Sequence, residues 1–147
     1  MVVETYGRGL LWVVDRPVFL LTGAAMSLSL RIAVIDDDEE MRFALEDLLS
    51  SYSHVVQCYD SGSSFLDGHK GFRPDMIVTD YHMPGLTGIE TVKRLRATGA
   101  STPAVLISAF ANDTLREAAL EAGSLALLKK PFDPDELIRL IDEAAGN

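Results

Sequence analysis

The sequence predicts an α/β domain: a five-stranded parallel sheet, doubly wound, with helices on both faces. Short apolar runs of strand length recur five times from Arg31 onward. Each run is followed by apolar residues at helical spacing. Strict alternation of the two patterns implies parallel neighbours joined by helical crossovers.

The elements follow in order. Ile32-Ala33-Val34-Ile35 is apolar without alternation, as a strand buried on both faces should be. Asp38 is placed to cap the next helix. There Met41, Ala44, Leu45, Leu48 and Leu49 make one face, with Arg42, Glu46 and Asp47 opposite. His54–Tyr59 reads as the second strand, and Cys58 within it as a small half-buried residue. Ser61-Gly62 opens a short helix containing Phe65 and Leu66. Pro74 precedes the third strand, Asp75–Thr79. The loop Met83–Leu86 leads to a helix with Ile89, Val92 and Leu95 inward. Ala104–Ile107 is the fourth strand. Asn112 or Asp113 caps a helix that runs to Glu121 and stops at Gly123. Leu125–Leu128 is the fifth strand, broken by Pro131. Asp133-Pro134 starts the last helix, whose inner face is Leu137, Ile138 and Ile141.

Composition narrows the function classes. The chain has 147 residues, 48% hydrophobic and 24% charged, which fits one globular domain. With 22 acidic against 13 basic side chains the formal charge is -9. That balance disfavours direct nucleic-acid binding, which needs a basic surface. It suits a protein that holds a divalent cation. A single cysteine excludes an intrachain disulfide and a cysteine-based metal site. Residues 1–29 differ from the rest. Leu10–Leu21 is apolar but interrupted by Asp15, Arg16 and Pro17, so it is too short and polar to span a membrane. Those same residues argue against a signal peptide, although Arg8 precedes the run and Gly23-Ala24-Ala25 follows it. A true start at Met26, a mobile arm and a partner-binding extension are the three readings of this segment, and the first is favoured. The domain proper is expected over residues 30–147, with no room for a second domain after the last helix.

The carboxyl ends of the predicted strands collect chemistry. The first ends in Asp36-Asp37-Asp38, the third in Asp80, the fourth in Ser108 and the fifth in Lys129-Lys130-Pro131. In a doubly wound sheet these ends share one edge, where ligands bind. Clustered carboxylates repel, and a hard divalent cation such as Mg²⁺ relieves the repulsion. A carboxylate there can act as a nucleophile toward a phosphoryl group, with a lysine and a hydroxyl stabilising its oxygens.

Four segments carry a resemblance: Val34–Asp38, Ile77–Gly88, Val105–Ala109 and Leu128–Phe132. Each is weak alone; in this order and at successive strand ends they resemble the response-regulator receiver family over roughly Leu30–Ala145. The resemblance implies a flavodoxin-like sheet of order 2-1-3-4-5. It implies that Asp80 is the phosphoacceptor, that Asp37 ligates Mg²⁺ directly and that Asp36 does so indirectly. The backbone carbonyl of His82 is the further protein ligand, Ser108 contacts the phosphoryl oxygens, and Lys130 pairs with them before a Lys-Pro bond often cis in this family. Asp38 is read as a cap only, Lys129 as pointing away from Lys130, and the His82 side chain as an exposed rim residue. His54 and His69 read as ordinary surface or turn residues, and Trp12 carries no motif.

One departure stands out: Leu127 occupies the position, three before the motif lysine, where the family usually has Tyr or Phe. That ring normally turns inward together with the hydroxyl at the Ser108 position. The expected function is therefore a stand-alone cytoplasmic bacterial receiver, not an enzyme in its own right beyond its phosphoryl transfer and autodephosphorylation. It would take phosphate from a histidine kinase or histidine phosphotransfer protein. It would engage a protein target through the fourth helix, fifth strand and fifth helix, with a homodimer as a further option. An unphosphorylated, constitutive interaction module is the alternative that Leu127 leaves open, although the complete acidic site argues against it. A haloacid-dehalogenase-type phosphatase is the third reading, but Asp36-x-Asp38 is followed by Glu39-Glu40 where that family has Thr or Val two residues on.

Overall fold

The structure, a computed structural model, describes residues 3–6, 10–13, 16–20 and 26–146. Four short strands come first: β1 (Val3–Tyr6), β2 (Leu10–Val13), β3 (Arg16–Leu20) and β4 (Met26–Leu28). They pair antiparallel in that order. The sequence reading assigned no strand here. Aromatic and β-branched residues in runs of four or five account for the pairing better than the search for a leader did. Pro17 lies outside the β3–β4 register, which covers Val18–Leu20. Gly23–Ala25, the leader-like stretch, lies outside the described residues.

The second sheet matches the prediction. Its strands are β5 (Arg31–Ile35), β6 (Val55–Tyr59), β7 (Met76–Asp80), β8 (Ala104–Ser108) and β9 (Ala126–Lys129). All pair parallel in the order β6-β5-β7-β8-β9, the expected 2-1-3-4-5 arrangement of five βα units. The crossovers are α1 (Glu39–Ser51), α2 (Gly62–Phe72), α3 (Gly88–Ala97), α4 (Asp113–Glu121), and α5 (Pro134–Ala144) closes the domain.

Strand periodicity divides the core in two. Ile32 and Val34 face Leu45 and Leu49 of α1 and Leu137 and Ile141 of α5. Ala33 and Ile35 face the other way, toward Phe65 of α2, Val92 and Leu95 of α3, and Ala119 of α4. Helix starts are fixed by side-chain caps, because the first N–H groups of a helix lack intrahelical partners. Asp38 accepts from the Glu40 N–H at 3.0 Å, Asn112 from Leu115 at 2.8 Å and Asp133 from Asp135 at 2.9 Å. α3 carries a full capping box, Thr87 with Glu90. Its Thr-x-x-Glu spacing is visible in the sequence but went unread.

Two expectations change. Ala44 is exposed rather than part of the inner face of α1, since the buried stripe there narrows to Leu45 and Leu49. His54 is buried, not a surface residue. Its Nδ1 accepts the Leu30 backbone N–H at 3.1 Å, and beside it Ser29 Oγ donates to the Ser53 carbonyl at 2.7 Å. These bonds clasp the chain entering β5 to the turn entering β6. Burial lowers the His54 pKa, partly countered by Asp142. The other doubtful side chain behaves as expected: burial and Glu46 push the Cys58 thiol up to about 11, leaving it protonated and unreactive. Among the described residues no helix is long and apolar enough to cross a membrane.

A prediction follows from the histidine. A lowered folded pKa means the unfolded chain binds the proton more readily, so stability falls as pH drops below about 6.5. Urea unfolding at neutral and mildly acidic pH should show this loss. His54→Ala should weaken the acid dependence and cost about 1–3 kcal/mol at neutral pH, because it orphans a buried N–H.

Candidate functional site

The expected site residues meet at the carboxyl edge of the parallel sheet. Asp36 follows the last residue of β5, Asp80 is the last of β7 and Ser108 the last of β8. Lys130 follows β9, and its N–H donates to the Ser108 carbonyl at 2.8 Å. The Tyr81 N–H likewise donates to the Ile107 carbonyl at 2.8 Å, extending the β7–β8 ladder past Asp80. Regular pairing therefore aligns the strand ends to within a residue, which places the side chains together.

Three carboxylates crowd there. Asp36, Asp37 and Asp80 each offer an oxygen within 4.8 Å of the others. Asp36 is 1% exposed and Asp80 7%, whereas Asp37 opens to solvent. Lys130 lies between the buried pair, its Nζ 3.1 Å from Asp80 Oδ1 and 3.6 Å from Asp36 Oδ2. Asp36 is oriented further by the Asp38 N–H, which donates to its Oδ1 at 2.9 Å. Arg42 Nη1 donates to the Asp36 carbonyl at 2.7 Å. The sequence put Arg42 among the solvent-facing residues of α1; its long side chain reaches back to the strand end instead.

The charges respond to this crowding. Burial raises the Asp80 pKa, Lys130 opposes the rise and Asp37 adds to it. Asp36 is also raised, by burial first, against the Asp38 N–H and Lys130 and with Asp80 and Asp37. Burial alone would lower the Lys130 pKa, but Asp36 and Asp80 outweigh it and the net shift is upward. The ammonium is thus secured while both buried carboxylates remain uncomfortable as anions.

The remaining expected residues fall nearby. Ser108 is 1% exposed, and its Oγ accepts the Phe110 N–H at 3.0 Å. The His82 side chain is exposed, as is Lys129. The Lys130–Pro131 peptide is cis. Leu127 is buried on the α4 side of the sheet. Gly88 was missed by the sequence reading. A Cβ there would sit 2.4 Å from the Asp80 carbonyl oxygen and 3.1 Å from Tyr81 Cα, so only glycine lets α3 start directly against the end of β7. The Pro84-Gly85-Leu86-Thr87-Gly88 run held the signal.

A doubly wound sheet with its polar groups gathered at the carboxyl edge is the architecture of a ligand- or group-accepting α/β module. The family model for the response regulator receiver domain matches residues 32–142, and the chain belongs to that family. Among curated relatives, the transcriptional regulatory protein FixJ of Bradyrhizobium diazoefficiens is 37% identical over 113 residues, covering 77% of this chain and 55% of that one. Response regulator MprA of Mycobacterium tuberculosis is 38% identical over 111 residues, covering 76% and 48%. The chain thus spans about half the length of the curated relatives it matches. Of solved structures, the receiver domain of the Francisella response regulator 1452 superposes with a TM-score of 0.76 at 28% identity, covering 80% of this chain and 98% of that one. FixJ-N gives a TM-score of 0.75 at 25% identity, covering 82% and 97%.

Two substitutions test this geometry. A raised carboxyl pKa means the anion is worse off folded than unfolded, so neutralising it favours the fold near neutral pH. Without added metal, Asp80→Asn should raise the urea midpoint, on the order of 0.5–2 kcal/mol, as relief at a strained functional site does. Gly88→Ala should cost about 1–3 kcal/mol by overpacking against the β7 carbonyl, read from the same unfolding curves.

Proposed function

We propose that this receiver accepts a phosphoryl group on Asp80 and uses it to change protein contacts. The observation that carries the reading is the Asp80 carboxylate held 3.1 Å from Lys130 within a group of three acids. A carboxylate oxygen of Asp80 forms the new O–P bond. The bond from phosphorus to the donor breaks, and its electron pair leaves with the donor, a phosphohistidine imidazole in a kinase or phosphotransfer protein. Lys130 pairs with the incoming phosphoryl oxygens, and Ser108 donates a hydrogen bond to one of them. Lys130 already lies against Asp80, so this pair needs little reorganisation for the transfer.

The donor set suits Mg²⁺: hard carboxylate oxygens, one of them exposed, with neither thiol nor imidazole among the clustered groups. Asp37 would ligate it directly with Asp80 and the His82 carbonyl, and Asp36 indirectly. The chemistry the ion supplies is neutralisation of charge on the transferring group. Phosphorylation adds charge and acceptors at a buried edge, and that difference biases the domain toward another arrangement. The α4–β9–α5 face is the surface through which a partner, or a second copy, reads the change. A net charge of -9 supports a protein rather than a nucleic acid as that partner.

Incubation with Mg²⁺ and acetyl phosphate, followed by intact mass measurement, tests the reading. One phosphoryl group should be gained by the wild type and none by Asp80→Asn. Lys130→Ala should slow the gain by about 10²-fold or more, the worth of one charge-stabilising donor. Modification that persists in Asp80→Asn rejects this site. No modification from any donor supports a constitutive interaction module, and turnover of added phosphomonoesters a phosphatase.

A further inference from the structure

Phe110 is the most exposed large apolar side chain among the described residues, at 79%. It stands in the loop between β8 and α4, two residues after Ser108. Its backbone N–H donates to Ser108 Oγ at 3.0 Å. The Ser108 hydroxyl at the end of β8 therefore also holds the Phe110 backbone. Beside the ring lies an open groove of about 590 Å³ between the start of α3 and α4, lined by Tyr81, Ile89, Leu115 and Ala118 as well as Phe110 itself. Its walls are largely apolar, and an exposed phenyl ring at the rim is a ready occupant.

Leu127 does not compete for that role. It is 4% exposed, packed among the residues on the α4 side of the sheet. Arg116 Nη1 donates to its carbonyl at 3.2 Å and pins β9 to α4 there.

We propose that Phe110 is the moving aromatic of this chain, its ring folding from solvent into the α3–α4 groove when Ser108 turns toward a phosphoryl group on Asp80. The proposal rests on the phosphoacceptor reading of Asp80. A rotation of the Ser108 side chain toward Asp80 carries Oγ away from Phe110 and breaks the tether. The freed N–H lies in an exposed loop, where water satisfies it, so release carries little penalty. Burying the ring then removes apolar surface from water, which favours the folded-in arrangement. Groove and rim both belong to the loop and helix next to the partner-reading face, so the ring's position alters the surface a partner meets.

The test uses the full chain with 4-fluorophenylalanine in place of Phe110 and fluorine NMR. Solvent exposure of the ring is read from the change in its shift between H₂O and D₂O. Beryllofluoride with Mg²⁺ serves as the phosphoryl mimic, and its own bound fluorine signal reports occupancy. On binding, the solvent effect on the ring should fall at least twofold. Ser108→Ala removes the tether, so the same fall, in part, should occur without beryllofluoride. A bound beryllofluoride signal with an unchanged ring overturns the proposal while leaving the Asp80 reading intact. Absence of any bound signal overturns the Asp80 reading; an unchanged ring in Ser108→Ala then sinks the tether as well.

Discussion

Asp36, Asp37 and Asp80 are held within 4.8 Å of one another at the edge of a packed sheet, and a single ammonium, Lys130, stands against them. Two like charges about 4 Å apart repel by about 4 kcal/mol at an effective dielectric of about 20. Even with the Arg42 guanidinium at the Asp36 carbonyl, two cations do not cancel three carboxylates, so the edge keeps an excess of negative charge. The rest of the domain is arranged to hold it. Five parallel strands, the central three buried on both faces, align the strand ends through backbone bonds that no side chain needs to maintain. The two apolar layers supply the favourable burial that a strained edge draws on.

The same constraint explains the small details around the site. Asp38 and Arg42 hold Asp36 from its side chain and its carbonyl. Gly88 allows α3 to begin against the Asp80 carbonyl, where a larger residue would push β7 out of line. Lys130 keeps its proton because two carboxylates face it, although burial works the other way. Buried carboxylates with raised pKa values, gathered at one sheet edge, are the kind of arrangement that marks a functional site. Under the proposed function, a phosphoryl group on Asp80 would reach further only through what touches it. The Ser108 hydroxyl at the end of β8 has the Phe110 backbone as its present partner, whereas that of Thr79 is bonded to the Asp80 carbonyl.

Much of this was legible in the sequence. Apolar runs without alternation marked the buried strands, strict βα alternation implied that they run parallel, and their order came from the family resemblance. Aspartates, serine and lysine at successive strand ends announced the site, because a parallel sheet must bring those ends together. What was missed depends on tertiary distance. Nothing local says that His54 would be buried by the chain entering β5, or that Arg42 would reach back to Asp36. Gly88 reads as a loop glycine until the Asp80 carbonyl is known to lie against it. The four strands β1 to β4 were missed for another reason. Strands of only three to five residues and mixed polarity carry a weak periodic signal, and their antiparallel pairing is what marks them.

The most direct test of the account is the unfolding free energy of the wild-type chain as Mg²⁺ is titrated in at neutral pH and constant ionic strength. If the acid cluster is a cation site strained when empty, stability should rise and then follow the logarithm of the Mg²⁺ concentration, by about 1.4 kcal/mol per tenfold excess over the dissociation constant. Asp37→Ala should flatten that response. A wild-type curve that stays flat through millimolar Mg²⁺, or a rise that Asp37→Ala leaves intact, would contradict it.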